Sequence, residues 1–266
     1  MLELQKIDKT FYPGSPNERK ALRSVSLKLE DGSFTTVIGG NGAGKSTLLN
    51  AIAGTFPVDH GKILLGEKDI TKLPEYKRAH FIGHLQQDPL KGTAPSMTIE
   101  ENLALAYGQK NRKFFQIGIS QKERELFREH LAVLNLGLEN RLGVKMGLLS
   151  GGQRQAVTLI MATIAEPEIL LLDEHTSALD PATAEKVMDL TVKIVAEQKI
   201  TTLMITHNME SALEVGNRTL MMNNGQVLID VQGEEREKMT IEQVLELFRE
   251  QSGNVFAEDR ILLETH

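Results

Sequence analysis

The chain of 266 residues has no cysteine, no long apolar run and no excess of positive charge. The first absence excludes a disulfide framework and fits a reducing compartment. The second leaves no membrane span: the longest purely aliphatic stretch, Ile169-Leu170-Leu171-Leu172, is far shorter than the roughly 20 residues a bilayer core needs. Behind Met1-Leu2-Glu3-Leu4-Gln5-Lys6 there is no apolar segment of the signal-peptide kind. We therefore expect a soluble chain whose membrane association, if any, is through a partner. The net charge of −6 argues against a broad nucleic-acid footprint, although it is compatible with a local basic patch. Low-complexity segments and internal repeats are also missing. What is present is 41% apolar residues, enough for one large domain or two lobes.

The most informative stretch is Gly39-Gly40-Asn41-Gly42-Ala43-Gly44-Lys45-Ser46-Thr47. An apolar run, Phe34 to Ile38, leads into it, and a helical pattern over 48–53 leads out. Strand, glycine-rich turn and helix in that order are what the phosphate-binding motif G-x-x-x-x-G-K-[ST] requires. Glycines let the backbone curl so that successive N–H groups point at phosphate oxygens. The helix start adds unpaired donors and a positive dipole end. In that frame Lys45 reaches the β- and γ-phosphates and the Ser46 hydroxyl ligates Mg²⁺. The bland alternative is a glycine-rich turn with a lysine cap; the strand-to-helix context favours the phosphate. The chain is expected to bind a nucleoside triphosphate.

The first thirty-odd residues read as β. Leu2 and Leu4 suggest one strand and the alternating Val25, Leu27 and Leu29 another, joined by a polar loop through Pro13, Gly14, Pro16 and Asn17. Asp31-Gly32 marks a turn, and short strands are expected at 63–65 and 81–83. From about 87 to 165 the pattern turns helical. Thr98 with Glu101 gives a capping box, a second helix over 122–134 aligns Leu126, Phe127, Leu131 and Leu134, and a third starts at Ser150 and ends before Pro167. Strand signals return at 169–172 and 201–206, with a helix over 181–197 between them opened by Pro181. Asn224-Gly225 predicts a type I′ hairpin. The last helix places Ile241, Val244, Leu245 and Phe248 on one face, with Thr240 and Gln243 as its cap.

Two further stretches carry chemistry. The aliphatic strand at 169–172 ends in Asp173-Glu174, at the carboxyl edge where ligands of parallel sheets sit. Asp173 would hold Mg²⁺, and Glu174 would orient or deprotonate an attacking water. Taken alone, two solvated acids at a strand end explain the pair equally well. Leu148-Leu149-Ser150-Gly151-Gly152-Gln153 can be read as a turn followed by an S-x-x-Q capping box. Two glycines in a first helical turn cost about 1 kcal/mol each relative to alanine. A helix end stripped of side chains is what a phosphate needs, so function accounts for them better than stability does.

With these motifs the chain resembles the ATP-binding cassette ATPases, the nucleotide-binding subunits of ABC transporters. Leu149-Ser150-Gly151-Gly152-Gln153 matches that family's signature motif. Gln87-Asp88-Pro89 resembles its Q-loop, Asp173-Glu174 its second Walker motif, Ser177-Ala178-Leu179-Asp180 its D-loop, and His207 its switch histidine. The likeness runs from about residue 2 to 230. It implies an α/β P-loop NTPase: a RecA-like core of mixed and parallel sheet, an N-terminal antiparallel β subdomain and an inserted α-helical subdomain. The ATP-binding domain would cover 1–250. Within it, 1–87 and 166–230 would form the catalytic lobe and 88–165 the helical signature subdomain, with a short helical tail over 231–266.

The resemblance also implies roles. ATP and Mg²⁺ are the cofactors, with Ser46, Gln87 and Asp173 around the metal and Glu174, His207, Lys45 and Gln87 in catalysis. His207 would hydrogen-bond the γ-phosphate, and Gln87 would also sense a transmembrane partner. The nucleotide would touch residues 39–47 of one copy and Ser150, Gly151, Gly152 and Gln153 of a second, in a head-to-tail homodimer, and Asp180 is a further expected nucleotide-site residue. An aromatic stacks on adenine in this family; Phe11 and Tyr12 both qualify, and counting from the preceding strand favours Phe11.

His175 departs from the pattern, because the family usually has proline there; it is either a tolerated polar residue or a pH-sensitive group near neutrality. An insertion at 109–119, with Lys110, Arg112, Lys113, Phe114 and Phe115, is expected either to shape the surface that receives membrane subunits or to tuck its aromatics inward. The wording Gly39-Gly40-Asn41 and Asp173-Glu174-His175-Thr176 looks most like ATPases of bacterial solute importers. These are peripheral on the cytoplasmic face of the membrane, bound to separate permease subunits and served by a solute-binding lipoprotein. Aromatic amino acids, tryptophan above all, are the expected solute. An exporter subunit has the same chemistry. A cassette protein acting on DNA or ribosomes is disfavoured, since neither a long coiled coil nor a second cassette is present. No nucleic-acid partner is expected.

Overall fold

The computed structural model describes residues 1–88, 90–111 and 118–252. Along the chain its strands are β1 (Leu2–Phe11), β2 (Arg19–Leu29), β3 (Phe34–Ile38), β4 (His60–Leu65), β5 (Lys68–Asp69), β6 (Ile82–Leu85), β7 (Ile169–Asp173), β8 (Thr201–Ile205), β9 (Arg218–Asn223) and β10 (Gln226–Gln232). The α-helices are α1 (Lys45–Ala53), α2 (Glu75–Arg78), α3 (Ile99–Asn111), α4 (Gln121–Ala132), α5 (Gly151–Thr163), α6 (Pro181–Gln198), α7 (Met209–Glu214), α8 (Gly233–Glu237) and α9 (Ile241–Ser252). They fall into two compact units: Met1–Arg78 with the chain from Thr201 onward, and Ala79–Ile200.

The first unit carries an antiparallel four-stranded sheet in the order β2-β1-β4-β5. Its register follows the alternation in the sequence: Leu2 faces Leu29 and Leu4 faces Leu27, all buried, while their neighbours point outward. A second run of strands, β10-β9-β3-β8, has β3 parallel to both β8 and β9. All five residues of β3 are buried, as expected of a strand covered on both faces. The β9–β10 hairpin turns at Asn224 and Gly225, with φ of 47° and 78°, the left-handed pair that a type I′ turn requires.

The tail helix belongs to this core. Val244, Leu245 and Phe248 pack with Ile38, Met209, Ala212, Met221 and Ile229, which at about 1.5–3 kcal/mol per buried side chain is a substantial anchor. Thr240 and Gln243 form the expected reciprocal cap at its start. Just upstream, Arg236 is 4% exposed and donates to the carbonyls of Ala212 and Val215, closing the carboxyl end of α7, and to the Thr219 hydroxyl.

In the second unit β6 and β7 pair in parallel, with Leu85 opposite Leu172. The strand expected at 81–83 therefore lies slightly later, and its end is brought close to Gln87. Gly83 permits the helix packing there, because a Cβ would stand 2.3 Å from the Ala162 carbonyl oxygen of α5. Helix α4 opens on a Ser120–Glu123 capping box and buries Phe127 and Leu131; Phe127 meets Tyr107 of α3 edge to face at 6.1 Å. Thr98 and Glu101 exchange the expected cap bonds. Arg112, Lys113, Phe114 and Phe115 of the expected insertion lie outside the described residues, as does Pro89.

Candidate nucleotide site

The candidate residues fall into two groups, one on each unit. In the first, β3 delivers the buried chain to Gly39, where φ is +143° and a Cβ would stand 2.2 Å from the Met222 carbonyl oxygen. At Gly44 φ is +106° and a Cβ would meet the Ala21 oxygen at 2.7 Å. Torsion and close approach both demand glycine at these two positions. The loop is fastened from outside: the Gly225 N–H donates to the Ala43 carbonyl at 2.8 Å, and Arg19 Nη2 donates to the Gly42 carbonyl at 3.0 Å. The hairpin turn thus braces the loop, a link that local sequence patterns do not reveal.

Lys45 starts α1 and is 6% exposed; its ammonium donates to the carbonyls of Gly39 and Gly40 at the centre of the loop. Gly40, Asn41 and Gly42 cover the outer curve, Ala43 is buried, Ser46 is exposed on the first turn and Thr47 is half-buried beside it. Gly44 precedes the helix and has no side chain to cover the helix start. His207 leaves β8 at the same edge. Val37 pairs with Ile205, and the Thr206 N–H donates to the Val37 carbonyl, so His207 and Gly39 both emerge from the carboxyl ends of adjacent parallel strands. Asn208 then caps α7 by accepting from the Ser211 N–H.

Phe11 and Tyr12 differ in what already holds them. Phe11 meets Phe56 edge to face at 5.2 Å, and the Lys9 ammonium lies 5.5 Å from its ring centre. Tyr12, with φ of 53°, is 70% exposed. Phe11 is pre-positioned by its neighbours, whereas Tyr12 presents its ring to solvent.

In the second group Glu174 follows β7 with φ of 46°, a left-handed conformation that redirects its side chain from the strand. Gln87 Nε2 donates to Glu174 Oε2 at 3.2 Å and lies 3.4 Å from the Ser177 hydroxyl, which donates to the Glu174 carbonyl at 2.9 Å. Asp173, at the strand end, is half-buried. His175 points the other way. It is 2% exposed, and its Nε2 is 3.1 Å from the Thr191 hydroxyl of α6, whose proton goes to the Val187 carbonyl. Burial lowers its pKa to about 4, so it stays neutral at physiological pH. The pH-sensitive reading of His175 near neutrality has no support in this environment.

Ser150 caps α5 with the expected box: its hydroxyl accepts from the Gln153 N–H and its own N–H donates to Gln153 Oε1, both at 3.3 Å. The two glycines then separate. A Cβ at Gly151 would make ordinary contact with Leu179 at 3.6 Å, whereas one at Gly152 would stand 2.2 Å from Thr183 Cγ2. Packing against α6 therefore favours glycine at 152, since a methyl there would displace the Thr183 side chain, so at this position stability as well as function accounts for the glycine. Asp180 caps α6, accepting from the Thr183 N–H at 3.1 Å; hydrogen bonding by Thr183 holds its carboxyl below the usual range. Arg154 was not singled out by sequence, yet its guanidinium donates to the carbonyls of Met146, Gly147 and Leu149 and so fixes the approach to Ser150. Only the three-dimensional turn reveals that role.

Residues 22–177 match the family model described as ABC transporter. The chain belongs to that family. A tyrosine transport ATP-binding protein of Clostridioides difficile is 45% identical over 93% of this chain and 98% of its own length. A phosphonates import ATP-binding protein of Lactococcus lactis subsp. cremoris is 33% identical over 92% of this chain and 98% of its own. Among solved structures, a dimeric ATP-binding cassette in a post-hydrolysis state with ADP and Pi is 30% identical, with a TM-score of 0.76, and covers 87% of this chain and 98% of that one. The chain is an ABC cassette with the α/β P-loop NTPase fold, an ATP-binding and ATP-hydrolysing transporter subunit. No helix among the described residues is long and apolar enough to cross a membrane.

Proposed function

We propose that this cassette powers the import of an aromatic amino acid through separate permease subunits, working as a homodimer on the cytoplasmic face of the membrane. The observation that carries this reading is the 45% identity, over nearly the full length of both chains, to a tyrosine transport ATP-binding protein. A solute-binding lipoprotein would deliver the amino acid to the permease.

Each ATP would lie between residues 39–47 of one copy and Ser150, Gly151, Gly152 and Gln153 of the other, with Asp180 close to the same interface. Phe11 would stack on adenine, since Phe56 and Lys9 already hold its ring; Tyr12 is the alternative. Among the described residues no group of three or more His, Cys, Asp or Glu side chains could cage a metal. That suits Mg²⁺, which is commonly held by one or two carboxylates, waters and the phosphates of its substrate. Ser46 and Asp173 would supply oxygens to it, with Gln87 alongside, and the ion would offset charge on the phosphates. Lys45 would bind the β- and γ-phosphates. Glu174, steadied by Gln87, would orient and deprotonate the attacking water, while His207 would donate to a γ-phosphate oxygen as charge builds there.

Closing on ATP and opening after hydrolysis would move the permease. The test is uptake of labelled tyrosine, tryptophan and phenylalanine by cells lacking the gene and by cells with it restored. Restored uptake of one of them supports the proposal. Unchanged uptake of all three overturns the solute class, and net extrusion overturns the direction.

A further inference from the structure

Arg78 is 2% exposed, and each of its hydrogen bonds goes to a backbone carbonyl. Nε donates to Leu73 at 2.9 Å, Nη2 to Thr71 at 2.9 Å, and Nη1 to Ala51 at 2.8 Å and Ile52 at 2.6 Å. Ala51 and Ile52 belong to the last turn of α1, whose carbonyls have no partner within the helix. Another acceptor in that turn, Asn50, receives the N–H groups of Gly54 and Thr55 at 2.9 and 3.1 Å. Three carbonyls at the carboxyl end of α1 are therefore satisfied, one by a chain reversal and two by a guanidinium. A buried cation is costly unless something offsets it, and here the negative end of the helix dipole faces it. Gly54 makes room: it is left-handed at φ 84°, and a Cβ there would stand 2.7 Å from Arg78 Nε.

The opposite end of this nine-residue helix is Lys45, followed by Ser46. We propose that Arg78 is a positioning residue for nucleotide binding. By tying the carboxyl end of α1 to the Thr71 and Leu73 carbonyls it fixes where the amino end, with Lys45 and Ser46, meets the phosphates. A helix of 9 residues is a short rigid rod, so a shift at one end displaces the other. Phosphate contacts tolerate little displacement. The inference rests on the reading that the loop at 39–47 holds the nucleotide.

The experiment is calorimetric titration of the purified full chain with ADP and Mg²⁺, comparing Arg78→Met, Arg78→Lys and Lys45→Ala with the unaltered protein. Arg78→Met should raise the Kd about tenfold with unchanged binding stoichiometry, and Arg78→Lys should recover part of the loss. A residue that merely stabilises the fold would lower the stoichiometry and leave the Kd of the folded fraction unchanged. That result, or a Kd within about twofold of the original, overturns the proposal. If Arg78→Met does not fold, Gly54→Ala takes its place, since it pushes on the guanidinium without removing it; it must raise the Kd in the same way or the proposal fails. Should Lys45→Ala bind as tightly as the unaltered chain, the reading of the loop is what fails.

Discussion

Gln87 and Glu174 touch because their strands are in register. Leu85 lies opposite Leu172 on parallel β6 and β7, each of the two residues follows two positions later, and the amide donates to the carboxylate at 3.2 Å. Residues 87 apart in sequence thus become neighbours through strand pairing. A carboxylate held by an amide donor is kept in one direction, which is what orienting a water requires.

Glu174→Gln should keep nucleotide binding and the contact to Gln87, because an amide oxygen can still accept that hydrogen bond. It cannot take a proton. ATP turnover should fall by about 10²–10⁴-fold with little change in nucleotide affinity, and the protein should elute as an ATP-dependent dimer. Turnover close to that of the unaltered chain would remove Glu174 from the role of base.

Gly152→Ala places a methyl 2.2 Å from Thr183 Cγ2, so α5 and α6 must part or Thr183 must leave its rotamer. Overpacking of this kind costs about 1–3 kcal/mol. Thr183→Ser removes the offending methyl, so the double variant should regain most of the loss in denaturant melts. Gly151→Ala, with open contact, should fold normally. If the double variant is no more stable than Gly152→Ala alone, the steric account of Gly152 is wrong.

Local chemistry was legible where one segment carries the whole signal. The loop at 39–47, the caps at Thr98, Ser150 and Thr240, the Asn224-Gly225 turn and the apolar face of α9 are each set by residues within a few positions of one another. What stayed hidden depends on distant partners. Arg19 braces the loop from β2 and Gly225 from the β9–β10 turn, and Thr183 bears on Gly152 from a different helix. His175 shows the same limit. Its sequence neighbours are acids of the candidate site, yet its ring faces Thr191 on α6.

His175 also has a consequence for acid stability. Its folded pKa is lowered by burial to about 4 from the ordinary histidine value of 6.5, so as pH falls the unfolded chain takes up the proton first. Its neutral state contributes fully above pH 6.5, and that contribution is lost progressively towards pH 4. At pH 5 the loss should be about 2 kcal/mol. His175→Asn lacks the titration, so its stability should fall less between pH 7.5 and 5 in urea melts without nucleotide or metal. Equal losses in the two proteins would mean that the imidazole is not buried in its neutral form.

Arg236 and Lys238 lie two residues apart and should respond very differently to the same substitution. The Lys238 side chain is 76% exposed and pairs with Glu234 at 3.2 Å across one helical turn, so Lys238→Met should change stability by less than about 0.5 kcal/mol. Arg236→Met leaves the Ala212 and Val215 carbonyls with one buried donor fewer and takes a partner from the Thr219 hydroxyl. Losing a charged donor to buried acceptors costs about 2–4 kcal/mol in total, or roughly 5–12 °C in melting temperature for a chain of this size. Because α7 starts directly after His207 and Asn208, ATP turnover should fall as well, with nucleotide affinity less affected. A melting temperature as little changed by Arg236→Met as by Lys238→Met would show that the tail only rests on the first unit and does not help to hold it together.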